Sequence, residues 1–167
     1  AQHNAFTGTI TAAGSETITF TDAGTATGLS AIEAYNLAAG TNTFTLGAAS
    51  QNVTTSSGAI TVNTGAIGDI TDSAINGTNA TSLAIVLGAT SDISDAVITG
   101  TTGTRDTNYT ITLDGFDSTL TIAQNALITS ASGAGNTVTL ADAGTATGNA
   151  AIEAYNLAAG TNTFTLG

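Results

Sequence analysis

Four aspartates have the spacing that most directly suggests chemistry. They belong to two windows, AIGDITDSAINGT (66–78) and ATSDISDAVITGT (89–101), which align without a gap and keep both Asp pairs in step. If the windows form adjacent strands, each Asp lies beside its counterpart, and like charges placed side by side are unfavourable unless they are exposed or bridged by a cation. Oxygen ligands without nitrogen or sulfur suit Ca²⁺. We therefore expect either a calcium site or a solvated acidic face, with Asp114 and Asp117 as a second candidate pair. The main set consists of Asp69, Asp72, Asp92 and Asp95.

Threonine pairs are the second feature that could carry function. They recur as Thr-x-Thr, and on a strand both threonines of such a pair point to the same side. An array of these rungs resembles the ice-binding face of β-solenoid antifreeze proteins, in which regularly spaced methyl and hydroxyl groups order water. The alternative is that β-branched threonine simply suits exposed strand positions. The candidate ice-binding residues are Thr17, Thr19, Thr43, Thr45, Thr110, Thr112, Thr137 and Thr139.

The composition excludes several function classes. The chain has 167 residues, a formal net charge of −11, one residue that is Lys or Arg (Arg105), one His (His3) and no Cys. A nucleic-acid or anionic-membrane partner needs several basic residues, which are missing. Disulfides and cysteine nucleophiles are impossible, and Ser, His and Asp are nowhere grouped, so we expect no enzyme activity and no catalytic residues.

The sequence also bears on location. The longest apolar run, around Leu83 to Leu87, is far shorter than the ~20 residues that span a bilayer, so we expect no membrane insertion. The chain begins at Ala1 and contains no Met, which suggests a processed product or a segment of a longer protein. An acidic, lysine-free, Thr-rich chain is typical of extracellular bacterial proteins, and we expect that location here.

Internal repetition dominates the sequence. Residues 21–47 and 141–167 match at 24 of 27 positions, at an offset of 120. Such self-similarity is the signature of a repeat architecture. We predict a single segment in which 1–15 end one repeat, 16–135 form a complete one and 136–167 begin the next.

A shorter motif recurs within this large repeat: two alternating apolar residues among threonines, followed by a turn. Its spacing predicts an all-β fold, specifically a parallel β-solenoid (β-helix) with coils of about 18–27 residues and five coils per repeat. Stacked coils would place Ile18, Phe44, Ile85 and Ile111 in one interior column. The segment 30–40 contains good helix formers, but its alignment with a strand window favours a strand.

These patterns together resemble the repeat regions of large secreted bacterial surface proteins, such as S-layers, adhesin stalks and extracellular filaments. The composition is similar to that of calcium-dependent repeat proteins, although their nonapeptide GGxGxDxUx is absent. The resemblance implies a structural, self-assembling protein of the cell surface whose partners are copies of itself. These copies would stack end to end through strand edges and side by side through divalent cations. The alternatives are an ice-binding solenoid and a calcium-stapled adhesin spacer with Ca²⁺ as its cofactor.

Overall fold

The protein is all-β and its strands pair in parallel. A computed structural model describes residues 15–70, 72–101, 108–132 and 135–167, and within these ranges it has seventeen short strands and one four-residue helix. Each recorded strand pairing is parallel. The sequence-based expectation of an all-β, parallel architecture is therefore confirmed. The predicted end of a preceding repeat, 1–15, lies outside the described ranges except for Ser15.

Two large sheets take alternate strands of the first half of the chain. The first sheet contains β1 (Thr17–Thr19), β3 (Ala34–Asn36), β5 (Asn52–Thr54), β7 (Ala74–Asn76) and β10 (Val97–Thr99). The second contains β2 (Thr25–Thr27), β4 (Asn42–Thr45), β6 (Ala59–Asn63), β8 (Ser82–Val86), β11 (Thr110–Thr112) and β13 (Ile128–Ser130).

The second half of the chain adds two smaller sheets. The third sheet contains β9 (Ser91–Asp92), β12 (Ser118–Leu120), β14 (Thr137–Leu140) and β16 (Ala154–Asn156). The fourth contains β15 (Thr145–Thr147) and β17 (Thr163–Thr165). The helix, α1 (Ile122–Asn125), carries a capping box in which Thr121 and Gln124 bond each other's backbone amides.

The alternation of strands defines layers, each made of one strand of the first sheet and the next strand of the second. The first layers contain few residues. Tyr35 pairs with Ile18 on one side and with Val53 on the other, and these paired residues are close together in the sequence. Later layers are longer, since the paired residues Ile75 and Ile98 are further apart in the sequence. Glycine, Asn and Ser separate the strands, as turns require.

The core is built of in-register apolar columns. In the second sheet, Phe44, Val62, Ile85 and Ile111 follow one another through the pairings of β4 with β6, β6 with β8 and β8 with β11. All four are fully buried. Alternation along each strand turns the flanking residues outward, and one continuous cluster of buried side chains runs through the described residues.

One part of the predicted column is wrong. Ile18 does not lie beside Phe44; it lies in the first sheet opposite Tyr35, whereas Phe44 lies in the second sheet between Ala26 and Val62. The physical reason is that the stretch between Ile18 and Phe44 holds two further strands, β2 and β3. The step from Ile18 to Phe44 therefore crosses one and a half short layers instead of one long layer. The strand predicted within 30–40 is confirmed as β3.

The two copies of the large repeat do not place matching strands in the same sheet. The strand of the second copy that corresponds to β1 is β14, and it lies in the third sheet, paired with β12 and β16. Helix α1, which was not predicted, precedes this change. Its Gln124 side chain is buried and donates to the Ile93 carbonyl at 2.9 Å, so the segment is fixed against an earlier layer without adding a strand.

The alignment of the two Asp windows is confirmed. Asp69 and Asp92 form a parallel bridge, and Ile75 pairs with Ile98 in the same register. Both isoleucines are fully buried. The sequence match between the windows therefore reflects direct stacking of one layer on the next.

Candidate functional site

The two copies of the repeated segment, 21–47 and 141–167, have the same local structure. In the first, the Asn42 carboxamide oxygen accepts from the Gly24 amide at 3.1 Å, and in the second Asn162 accepts from Gly144 at 3.2 Å. The NH₂ group of each carboxamide also makes the same hydrogen bond in both copies: Asn42 donates to the Ala38 carbonyl and Asn162 to the Ala158 carbonyl, both at 2.8 Å. These side chains close the turn before β4 and before β17.

The aromatic residues also make the same contacts in both copies. The Tyr35 hydroxyl accepts from the Leu29 amide at 2.7 Å, and the Tyr155 hydroxyl accepts from the Asn149 amide at 2.8 Å. The tyrosine and phenylalanine rings of each copy are tilted, with centroids 4.7 Å apart in the first copy and 4.9 Å in the second. Burial raises the pKa of both tyrosines, so the phenols remain neutral at physiological pH.

In the first copy this arrangement is covered by the following layer. The amide of Leu37 donates to the Thr54 carbonyl in β5, and that of Leu46 donates to the Asn63 carbonyl in β6, both at 2.9 Å. Leu37 is 5% exposed and Leu46 is 3% exposed. Strands β3 and β4 of the first copy thus have a paired neighbour on each side.

The corresponding leucines of the second copy stand close to the last residue of the given sequence. Leu157 is 44% exposed and Leu166 is 87% exposed. Their amides have no partner within the described ranges that matches those of Leu37 and Leu46. We call this surface the end face; it is concave and is lined by Gly148, Asn149, Ala150, Ile152, Glu153, Tyr155, Leu157, Phe164, Leu166 and Gly167.

The end face can pair backbone and bury apolar surface at once. Strands β16 and β17 are edge strands of the third and fourth sheets, and such edges are templates for another strand. Burying one leucine is worth roughly 1.5–3 kcal/mol, so Leu157 and Leu166 alone offer a substantial gain on docking. Sequence reasoning identified the free strand edges but not these residues; comparison of the two matching windows was the signal that could have found them.

The fold brings together only two of the four aspartates of the main set. Asp69 and Asp92 pair, while Asp72 and Asp95 are exposed. One Asp92 carboxylate oxygen already accepts from the Ser94 amide at 2.9 Å and from its hydroxyl at 2.7 Å. Across the described ranges, no three acidic or histidine side chains converge on a possible metal position. Calcium binding by this set stays a prediction.

The second acidic pair is engaged in local hydrogen bonds. Asp114 accepts from the Ser132 hydroxyl at 2.8 Å, and Asp117 accepts from the Thr137 amide at 2.6 Å. Both carboxylates therefore link neighbouring segments of the fold. His3 and Arg105 lie outside the residues that the structure describes.

The predicted threonine rungs do not share one face. Thr17 and Thr19 lie in the first sheet and Thr137 and Thr139 in the third, and the remaining four lie in the second. The reason is again the short layers, which move Thr-x-Thr motifs of similar sequence into different sheets. Among the described residues, complete Thr-x-Thr rungs are adjacent in β2 with β4 and in β15 with β17, and Thr61 of β6 adds one threonine beside Thr43.

Comparison with known proteins identifies no relative of this chain. The chain matches no family model, no curated protein and no solved structure. None of the helices in the described part of the chain has the length and apolar character needed to cross a membrane.

Proposed function

We propose that this chain is a structural, non-catalytic repeat that assembles end to end with copies of itself. Its layers are the coils of a parallel β-solenoid, and its site of assembly is the end face. An acidic chain without cysteine, with a nearly exact internal repeat, fits an extracellular filament or another surface assembly on a bacterial cell. We extend the proposal to that location.

The parallel pairing supports the solenoid interpretation. Strands alternate between sheets along the chain, and each sheet adds its strands in sequence order, as happens when a chain winds around an axis. Each layer contacts mainly its neighbours, so a layer at the end of the stack keeps one unsatisfied side. End-to-end growth follows from this geometry without any further binding site.

The single observation that carries the proposal is the in-register parallel stacking of one layer on the next, which lets one copy of the repeat continue on another. In the first copy, the residues that correspond to the end face are buried by the next layer, so these side chains can form a packed interface. Exposed apolar surface beside unpaired strand edges favours association. Among the described residues that line this face, Glu153 is the one that carries a charge.

The net charge directs association toward the ends. A formal charge of −11 on 167 residues makes the sides of neighbouring chains repel one another, whereas the end face is mostly uncharged. Salt screens this lateral repulsion. We therefore expect single filaments at low ionic strength and bundled filaments at high ionic strength.

The test compares two variants with the same change of charge. Leu166→Asp places a carboxylate in the end face, and Thr54→Asp places one on an exposed position in the middle of the first sheet. Assembly is followed by light scattering and electron microscopy, and folding by circular dichroism. We expect fibres from the parent chain and from Thr54→Asp but not from Leu166→Asp. A parent chain that stays monomeric at high concentration and moderate salt would refute the proposal.

The adjacent Thr-x-Thr rungs of β2 and β4 favour ice binding as a second candidate function. Thr25, Thr43 and Thr61 are in register on this sheet, and the column of threonines ends at Ala84. The test is thermal hysteresis of the parent chain and of Thr43→Tyr, with Thr54→Tyr as the control on another sheet. Ice binding predicts loss of hysteresis in the first variant only, and a parent chain without hysteresis excludes this function.

A further inference from the structure

The acidic residues are not spread evenly over the sheets. Four of the five strands of the first sheet have a carboxylate within the two residues before them, and these residues are Glu16, Glu33, Asp72 and Asp95. The third sheet has acidic residues within its strands or within two residues of their ends, namely Asp92, Asp117, Asp142 and Glu153. Negative charge therefore borders both of these sheets.

The second sheet differs from both. Its six strands contain no charged residue, and Asp114 is the single charged residue within two positions of their ends. Asp114 follows β11 and accepts from the Ser132 hydroxyl at 2.8 Å. The fourth sheet is also free of charge, but its two strands of three residues offer a much smaller surface. The largest uncharged sheet of this acidic chain is therefore the second.

We call the outward side of the second sheet the neutral face. Residues beside the buried column point outward, and the parallel register aligns them in two further columns. All ten are at least partly exposed, and nine of them carry a methyl group. One column is Thr25, Thr43, Thr61, Ala84 and Thr110, and the other is Thr27, Thr45, Asn63, Val86 and Thr112.

The neutral face belongs to interior layers of the stack. Strands β4, β6, β8 and β11 each have a paired strand on both sides, so their backbone is engaged within the sheet. The Asn63 carboxamide donates to the Thr45 hydroxyl at 3.4 Å, which uses a polar group of the face internally. A partner therefore contacts this face through side chains, mainly methyl and hydroxyl groups in straight columns.

We propose that the neutral face packs side by side against the neutral face of a second copy of this chain. This inference rests on the proposed function and deepens it by naming the side through which assembled chains bundle. Contact through the first or third sheet would bring carboxylates against carboxylates, which repel. Columns of small, in-register side chains can interdigitate between two sheets in a dry contact. This contact needs no divalent cation.

The size of the neutral face sets the strength of the contact. Six strands, the longest of five residues, cover roughly 24 Å by 16 Å at ordinary strand spacing and rise. This is on the order of 400 Å² per copy, about half of what a stable interface buries on each partner. Single copies should therefore pair weakly, and copies joined end to end should pair firmly because the contact repeats.

The first experiment uses chains that cannot grow end to end, with Leu166→Asp as the common background. Association is followed by sedimentation equilibrium, and its location by the concentration dependence of methyl NMR shifts. We expect weak dimers that strengthen with salt, because salt screens the remaining repulsion, and that are indifferent to a chelator. The shifts should change at Thr43, Thr61 and Val86 and stay constant at Thr54 and Val97.

Two variants with the same change of charge test the face itself. Thr61→Asp places a carboxylate between Thr43 and Ala84 in the neutral face, and Thr54→Asp places one in the middle of the first sheet. We expect the first to lower the association constant at least tenfold and the second to leave it within twofold. Circular dichroism checks that both fold, and the methyl shifts test the inference without either substitution.

Three results would overturn the inference. These are no association at the highest concentration and salt, shift changes on another sheet, and equal effects of the two variants. Loss of association on chelation would assign the contact to bridging cations instead. Thermal hysteresis without association would assign the face to ice.

Failure of this inference is distinguishable from failure of the proposed function. Dimers through the neutral face, in a chain whose parent never forms fibres, support the face and refute end-to-end assembly. Fibres that bundle equally in the parent chain and in Thr61→Asp, seen by electron microscopy, refute the neutral face alone.

Discussion

The segments 21–47 and 141–167 differ at three positions, yet β3 and β4 of the first are paired on both sides, whereas β16 and β17 of the second are paired on one side among the described residues. Their turns, asparagine bonds and aromatic pairs agree closely. Their exposure does not: Tyr35 and Phe44 are fully buried, whereas Tyr155 and Phe164 are partly exposed. Local structure is therefore set by the segment, and burial is set by the layer that follows it.

The largest expected effect is the contrast between Phe44→Ala and Phe164→Ala. Phe44 is enclosed by layers on both sides, so its removal should lower the free energy of unfolding by about 3–5 kcal/mol. Phe164 packs on one side only, so its loss should cost less than half as much. Urea unfolding of dilute monomer measures both, and equal losses would contradict the comparison.

Gln51→Ala should have the next largest effect. The substitution leaves the carbonyls of Leu29 and Ile32 and the amide of Gly47 without their partner in a buried place, which costs about 1–3 kcal/mol. Asn52→Ala, at the exposed neighbouring position, should change stability by less than about 0.5 kcal/mol. The same unfolding experiment compares them, and equal values would show that the Gln51 hydrogen bonds do not stabilise the layer.

A smaller effect concerns alkaline pH. Burial raises the pKa of Tyr35 and Tyr155 above the ordinary value of 10.0. A raised pKa in the folded state contributes stability that is present below the unfolded pKa and is lost as pH rises through the folded pKa. Melting temperature should therefore fall above pH 10, and Tyr35→Phe should reduce this fall more than Tyr155→Phe. An identical alkaline profile in the parent chain and Tyr35→Phe would refute the prediction.

The smallest expected effect is at Glu153. A hydrogen bond from the Gly135 backbone, assisted by one from the Asn136 amide at 2.8 Å, lowers the pKa of Glu153 below its ordinary 4.5. A lowered pKa gives stability above the unfolded pKa that is lost as pH falls through the folded pKa. Glu153→Gln should therefore lose less stability than the parent between pH 5 and pH 3. Melting curves at both pH values test this, with Glu33→Gln as the same substitution in the first copy.

The strongly periodic parts of the fold were predictable from the sequence. The pairing of Asp69 with Asp92, the column from Phe44 to Ile111 and the strand at Ala34–Asn36 all follow from apolar alternation and from window matches. These features depend on large side chains at regular spacing, which is the signal that sequence reasoning uses.

Two features were missed for a physical reason. Strand β2 has Ala26 as its inward residue, too small to mark a strand by hydrophobicity, so the first layers were predicted to be too long. Gln51 is polar, and its burial depends on carbonyls of the preceding layer that only the fold brings near. The exposure of the end face could not be predicted either, because two nearly identical sequences do not show which copy is covered by a further layer.

The placement of the two copies on different sheets has a consequence for long arrays. The TAT strand lies in the second sheet at Thr25–Thr27 and in the fourth at Thr145–Thr147. Two nearly identical segments therefore have different strand neighbours, and groups attached at matching positions such as Thr25 and Thr145 would lie on different sheets.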